Sequence, residues 1–369
     1  MGSLRAMSKK KPTIVDIAKV LGVSTATVHR ALRNHPNMTP TTKNRVLQMA
    51  KKMGYKPNLA ARYLSSKRAL RISVNTLKGT TSFWDEVRNG IEDEKKSLDL
   101  ENVEIEYRTY PKLDDSEPAA FEAALNANVD GIIAFPSNSE TLKPLMHRAA
   151  RSKLPVLFVA TDAQGTERLS VVSIDTMASG SLAADLMGRL VQGKGRVAVT
   201  LFDSAITEHA EKFDAFKNTM ETLYPAIRVQ EPLEDHDVEE VAYDHCRKLI
   251  DEHRDLVGIY VTTEASMPVI RAARDAKALD RLTIVTTDLF PGLVQEIRGG
   301  AVTATIYQRP RTQGRMAFRV LYEYLVENEY PQQNVTLAPH LVMRGNLEFF
   351  LQRVSGSTGN GARARSKRT

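Results

Sequence analysis

The sequence predicts an N-terminal all-α helix-turn-helix domain plus an α/β domain with parallel sheets, and three observations carry this. Residues 1–68 hold 15 Lys and Arg against a single acid, Asp16. Within that stretch, apolar residues recur at helical spacing and are separated by capping residues. From Leu70 onward, short apolar runs alternate with amphipathic stretches, the signature of strands and helices following one another. A length of 369 residues suits two or three domains.

Composition narrows the class. With 42% hydrophobic and 26% charged residues the chain has ample material for a core. No run approaches the ~20 apolar residues of a membrane span. The opening MGSLRAMSKKKPT is basic but has no apolar stretch like that of a secretion signal, and Met7 offers a second start. The single cysteine, Cys246, forms no intramolecular disulfide and suits a reducing compartment, so the cytoplasm is expected. The last 15 residues add four Lys and Arg and no acid, while the whole chain is only +7, so the stretch between is net acidic. A basic head on an acidic body points to a polyanionic partner for the head.

The head is patterned. Thr13 caps a helix with Ile14, Ile17, Ala18 and Leu21 on one face, and Gly22 ends it. Val23 turns inward, and Ser24 caps a second helix from Thr25 to about Arg33. There Val28 and Leu32 share a face, leaving Thr25, Ala26, His29 and Arg30 on the other. Thr39-Pro40 opens a third helix with Val46, Leu47, Ala50 and Met53 as its buried stripe, and Gly54 closes it. Two helices joined by a short glycine turn form the unit that places its second helix in the major groove of DNA.

The segments TIVDIAKVLGVSTATVHRAL and GYKPNLAARYL resemble the head of the lactose-repressor (LacI/GalR) family of bacterial regulators. The resemblance rests on Asp16-Ile17-Ala18, Gly22-Val23-Ser24, Thr27-Val28, Arg30 and Tyr55-x-Pro57-Asn58. It implies that Thr25, Ala26 and Arg30 face base edges, Arg30 as a bidentate partner for guanine. By the same match Ser24, Thr27, Asn37 and Thr39 contact phosphates. Thr13, Val15, Tyr55, Asn58 and Ala61 complete the DNA-facing set. His29 stands where a small residue is usual, and is either an added contact or a spectator. Residues 57–66 resemble the family's hinge: Asn58, Ala60, Ala61, Arg62 and Leu64 form a short helix when two chains sit on an operator. Leu64 then wedges between base steps from the minor groove.

The body's strand-like runs are RISVNT, VEIEYRT, VDGIIAF, LPVLFVA, SVVSI, RVAVTLF, LVGIYVT, LTIVTT and VTATIYQ, separated by helical stretches such as FWDEVRNGIEDEKKSL and GSLAADLMGRLVQ. Ligands of such sheets bind outside the carboxyl ends of the strands. Residues 70–350 resemble the effector domain of the sugar-binding-protein type. The resemblance implies a periplasmic-binding-protein-like pair of lobes, with the chain crossing near 170–173, 305–310 and 334–338. The expected division is therefore a head over 1–57, a hinge over 58–68 and a body over 69–354. Lobe 1 spans about 69–171 and 309–335, lobe 2 about 172–306 and 337–354, and a disordered basic tail runs over 355–369.

The pocket residues so implied are Phe83, Trp84, Asp162, Lys212, Thr263, Glu264, Asp288 and Gln308. Aromatic faces for C–H surfaces, with carboxylates, an amide and a cation for hydroxyl groups, make a sugar-like site. Trp84, the sole tryptophan, is the preferred stacking platform, with core packing as its alternative role. Lys212 replaces a common arginine, and Thr161-Asp162 and Thr263-Glu264 depart from the usual pairs. A polyol, cyclitol, sugar acid or sugar phosphate is thus open, with Lys212 slightly favouring an anion.

Other signals carry less. His236, Asp237, His245 and Cys246 fit no zinc spacing. The QGKGR run lacks phosphate-loop spacing and turns a helix into a strand. No serine or cysteine sits in a nucleophile motif, so an enzyme is not expected, and neither cofactor nor metal is called for. The tail has no leucine heptads that would tetramerise the chain. The expected protein is a homodimeric repressor of pseudo-palindromic operator DNA, controlled by a sugar-like effector.

Overall fold

The computed structural model describes residues 13–32, 38–53, 69–78, 82–111, 116–136, 139–236 and 238–355. Asn37, Tyr55, Asn58, Ala61, Leu64, Asp237 and residues 356–369 lie outside these, as does the His29 side chain. The chain divides near residue 68 into a head and a body, with Tyr322–Tyr330 grouped with the head.

In the head, α1 (Ile14–Leu21), α2 (Thr25–Leu32) and α3 (Pro40–Met53) surround a small core. Thr13 and Asp16 form a reciprocal cap: the Asp16 N–H donates to Thr13 Oγ1 at 3.3 Å, and the Thr13 N–H donates to the Asp16 carboxylate at 2.7 Å. Gly22, at φ +65°, ends α1 in the left-handed conformation that favours glycine. The Thr27 N–H donates to Ser24 Oγ at 3.1 Å, which caps α2. Ile17, Ala18, Val28, Ala31, Val46 and Ala50 are buried together. Leu47 corrects the expected stripe, since it is 41% exposed. The buried face of α3 runs Val46, Met49, Ala50, Met53, and Leu47 sits ~100° around the helix from Val46.

The body holds two sheets. The first is made of β1 (Leu70–Leu77), β2 (Val103–Tyr110), β3 (Gly131–Ala134), β4 (Val156–Ala160), β5 (Ser170–Ile174) and β12 (Asn334–Leu337). It is parallel throughout, in the order β12-β5-β4-β3-β1-β2. The second contains β6 (Gly195–Leu201), β7 (Ile227–Val229), β8 (Leu233–Glu234), β9 (Leu256–Val261), β10 (Thr283–Thr287), β11 (Ala304–Tyr307) and β13 (His340–Val342). Its order is β13-β11-β10-β9-β6-β7, with β8 beside β6, and only β13 runs antiparallel.

Helices cover the sheets. Around the first are α4 (Ser82–Ser97), α5 (Glu117–Asn126), α6 (Ser139–Arg151) and the start of α12 (Pro310–Glu327). Around the second are α7 (Thr176–Leu190), α8 (Thr207–Leu223), α9 (Glu239–Glu252), α10 (Ser266–Asp275), α11 (Pro291–Gly299) and α13 (Leu347–Ser355). Each side has its own apolar core, around Phe121, Ile132 and Phe158 in the first lobe and around Ile259, Ile284, Phe216 and Tyr260 in the second. Covering helices explain why the strands read as continuous apolar runs.

The first crossing falls after the expected 170–173, the second lies within 305–310, and the third, at 337–340, overlaps the expected 334–338. Residues 170–174 belong to the first sheet, because β5 pairs with β4 on one side and β12 on the other, so the chain leaves lobe 1 after Ile174. It returns between Tyr307 and Pro310 and crosses again between Leu337 and His340. The helix α13 also reaches Ser355, the first residue of the stretch expected as a tail.

Candidate effector cleft and DNA-reading face

On the head, α2 hides Val28 and Ala31 and exposes Thr25, Ala26 and Arg30. An exposed arginine on the second helix of a helix-turn-helix is placed to reach base edges. Ser24 Oγ and Thr27 Oγ1 lie 2.8 Å apart, so the two hydroxyls fix each other at the start of the helix. Thr39, exposed before α3, donates its hydroxyl to Thr42 Oγ1 at 2.9 Å. Val15 is 62% exposed on α1, an apolar side chain with no place in the head's core.

In the body, the carboxyl ends of both sheets face a cleft enclosing about 590 Å³, open mouth included. Six of the eight expected residues line it: Phe83, Trp84, Thr263, Glu264, Asp288 and Gln308. Phe83 and Trp84 come from the first turn of α4. Trp84 is 5% exposed, packed edge-on to Phe83 at 4.9 Å and tilted against Phe135 at 4.6 Å between ring centroids. It is both a core residue and part of the wall. Phe135 after β3 and Phe202 after β6 extend the aromatic lining.

A hydrogen-bonded chain forms the polar floor. Asp288 follows β10 at φ +63°, a left-handed turn that aspartate tolerates better than most residues. This brings its carboxylate onto Gln308, whose N–H donates to Oδ1 at 2.8 Å and whose Nε2 donates to Oδ2 at 2.5 Å. Gln308 Oε1 accepts from Lys212 Nζ at 2.8 Å, and Lys212 also donates to Glu208 Oε1 at 2.5 Å. Lys212 is 1% exposed and stands behind the wall. Its ammonium is already matched by Glu208, which removes the slight preference for an anion that the lysine suggested. Burial alone would lower its pKa, but Glu208, Tyr260 and Asp288 outweigh that and hold it raised.

The remaining acids are poorly compensated. Burial pushes the Asp288 carboxyl up to about 6 despite its bonds to Gln308. Burial, then the charge of Asp288, pushes Glu264 up to about 7. His209, also lining the cleft, is held down at about 4 by burial and is neutral near pH 7. Across the cleft, the Ser82 hydroxyl at the start of α4 donates to Glu264 Oε1 at 2.7 Å, joining the two lobes directly.

Asp162 does not reach this cleft. Its carboxylate takes both Nε and Nη2 of Arg168, at 2.5 and 2.6 Å, and Arg168 continues to Asn334 Oδ1 at 2.8 Å. It lines a second, more polar cavity with Thr161, Asp175 and Glu211, and the two cavities meet at Glu208. Glu208, His209, Phe135 and Phe202 were missed by sequence reasoning. Glu208 stands one helical turn before Lys212, a spacing that brings the two side chains together. Phe135 and Phe202 each directly follow a strand.

Cys246 is buried with its thiol against the Val269 carbonyl, and burial pushes the thiol up to about 12. Among the described residues, no group of three or more metal-ligating side chains is gathered, and no helix is long and apolar enough to cross a membrane.

The family model for bacterial regulatory proteins of the lacI family matches residues 13–58, and that for the periplasmic binding protein domain matches residues 72–329. The chain belongs, through its body, to the periplasmic binding protein domain family, and it carries a lacI-family helix-turn-helix head. Catabolite control protein A of Staphylococcus epidermidis is 24% identical over 339 residues, covering 91% of this chain and 99% of that protein. The transcriptional regulator DegA of Bacillus subtilis is 25% identical over 337 residues, covering 90% and 97%. Among solved structures, GanP, a glucose-galactose binding protein of Geobacillus stearothermophilus, superposes with a TM-score of 0.71 at 20% identity, covering 76% of this chain and 99% of GanP.

Proposed function

We propose that this lacI-family protein is a DNA-binding repressor whose operator affinity is set by a sugar-like polyol held between the lobes of its body. The observation that carries the effector half is the cleft itself: an aromatic wall of Phe83, Trp84, Phe135 and Phe202 faces a polar floor of Asp288 and Gln308. Rings suit the C–H faces of a sugar, while the carboxylate and amide suit its hydroxyls. The likeness of the body to a glucose-galactose binding protein supports the same reading. For the DNA half, the exposed Thr25, Ala26 and Arg30 supply the reading face, and the phosphate contacts of Ser24, Thr27 and Thr39 set its register.

The protein acts as a cytoplasmic homodimer with two heads on a pseudo-palindromic operator, each head raising the local concentration of the other. A ligand touching both walls of the cleft changes the angle between lobes. The hinge over 58–68, with Leu64 as a minor-groove wedge, reads that angle, and the coupling holds equally in both directions. A solute carrier for transport is the rival, and the lacI-family head speaks against it.

The test combines a thermal-shift screen against sugars, polyols and their derivatives with operator binding measured with and without each hit. A hit that stabilises the protein and changes operator affinity is the expected result. If no polar metabolite shifts either quantity, the sensing half fails while DNA binding stands.

A further inference from the structure

The cleft carries an imbalance of charge that narrows its ligand. Around it stand three carboxylates, Glu208, Glu264 and Asp288, and one ammonium, Lys212, among the described residues. That ammonium is behind the wall and engaged by Glu208 and Gln308. Glu264 has only neutral partners: the Ser82 hydroxyl at 2.7 Å and backbone N–H groups of Ser82 and Phe83. Asp288 is held by the two neutral donors of Gln308. His209, the remaining basic side chain of the lining, is half-buried and held as the neutral imidazole. Two acids therefore line a largely apolar cavity: Lys212 acts on Asp288 only from behind Gln308, and among the described residues no cation bonds Glu264.

Burying an uncompensated carboxylate is costly, and a ligand that brings its own cation relieves that cost twice over. The aromatic rings beside these acids add to the same preference, since the faces of Trp84 and the phenylalanines attract an ammonium. An anion would meet Glu264 and Asp288 without a free partner. Resting on the effector reading above, we infer that the ligand of this cleft is an amine-bearing polyol, an amino sugar or aminocyclitol, whose ammonium sits between Glu264 and Asp288. A neutral sugar offers hydroxyls to the same acids but leaves their charge unmatched, and a sugar phosphate adds repulsion.

The fluorescence of Trp84, the sole tryptophan, reports binding directly. The full-length protein is titrated at pH 7.5 with glucosamine, galactosamine, mannosamine and 2-deoxystreptamine. The neutral parent hexoses, the N-acetylated forms and the hexose 6-phosphates are titrated alongside. At least one amine is expected to bind roughly tenfold or more tightly than its neutral parent, the scale of one hydrogen bond to a charged group. N-acetylation, which removes the charge, should abolish that gap. In Glu264→Gln, checked for fold by circular dichroism, the gap between amine and parent should shrink. Equal or tighter binding of a neutral or phosphorylated sugar would overturn the inference and leave the effector reading intact. A panel without any binder would overturn the inference, while the effector reading would fail only if the wider screen of sugars, polyols and their derivatives also gave no hit.

Discussion

Arg30 and Glu264 show how a single side chain is assigned work by its surroundings. Arg30 is exposed on α2 and takes no part in the head's core. Arg30→Ala should therefore weaken specific operator binding by about 1–3 kcal/mol while the head stays folded, as measured by titration of operator and scrambled DNA in parallel. An equal loss on both DNAs would make Arg30 a phosphate contact. Glu264 is the opposite case, a half-buried acid whose pKa desolvation raises to about 7 from the usual 4.5. A carboxyl raised in the folded state favours folding at low pH, and that contribution is lost as pH climbs from about 4.5 through 7. Asp288, raised to about 6, acts in the same sense. The melting temperature of the native protein should fall relative to Glu264→Gln between pH 5 and 8, and a constant difference would refute this.

At the scale of elements, caps and close approaches decide stability. The Thr13–Asp16 box supplies two N–H groups at the start of α1 with partners. Thr13→Ala should cost about 1 kcal/mol of head stability, read by denaturant titration of the isolated transition. Two helix crossings in the body depend on glycine. A Cβ on Gly180 of α7 would lie 2.2 Å from the Lys212 carbonyl, and one on Gly314 of α12 would lie 2.0 Å from the Val87 carbonyl. Both obstacles are backbone, so the helices must move apart. Gly180→Ala should destabilise the body by about 1–3 kcal/mol and weaken ligand binding, because α8 carries the Lys212 that braces Gln308. Gly345→Ala, whose Cβ would meet nothing within 4 Å, is the control and should leave melting unchanged.

At the scale of the molecule, function rests on two contacts that work on different terms. The head's contact with DNA is largely ionic, so affinity should fall linearly with salt on logarithmic axes, with a slope near −0.9 per phosphate neutralised. The body's cleft is already bridged by Ser82 and Glu264, which belong to different lobes. A ligand that adds bridges should raise the melting temperature with concentration, stabilising the fold by about 2.7 kcal/mol at a hundredfold excess over its dissociation constant. Removing the bridge with Ser82→Ala should leave ligand stabilisation in place but lower the melting temperature of the free protein, a difference a calorimetric scan resolves.

Much of this was legible in the chain itself. Helical spacing and the caps at Thr13, Gly22 and Ser24 define the head, because a short helix is set by local residues. The apolar runs define most strands, because a parallel sheet covered on both faces leaves no polar alternation to confuse them. Short pieces escaped: β7, β8, β12 and β13 hold two to four residues each, too few for a period to show. Six of the eight cleft residues that the family resemblance implied do line the cleft, in keeping with the rule that ligands meet the ends of parallel strands. What only the tertiary structure decided was which charges meet. Asp162 follows its strand just as Asp288 does, yet Arg168 claims it, while Asp288 turns onto Gln308. Lys212 read as a free cation until folding set Glu208 against it. The physical reason is range. Caps and periodicity act over a few residues and are written locally, whereas the pairing of buried charges depends on contacts as distant as Lys212 and Gln308, which the chain acquires only when both sheets are in place.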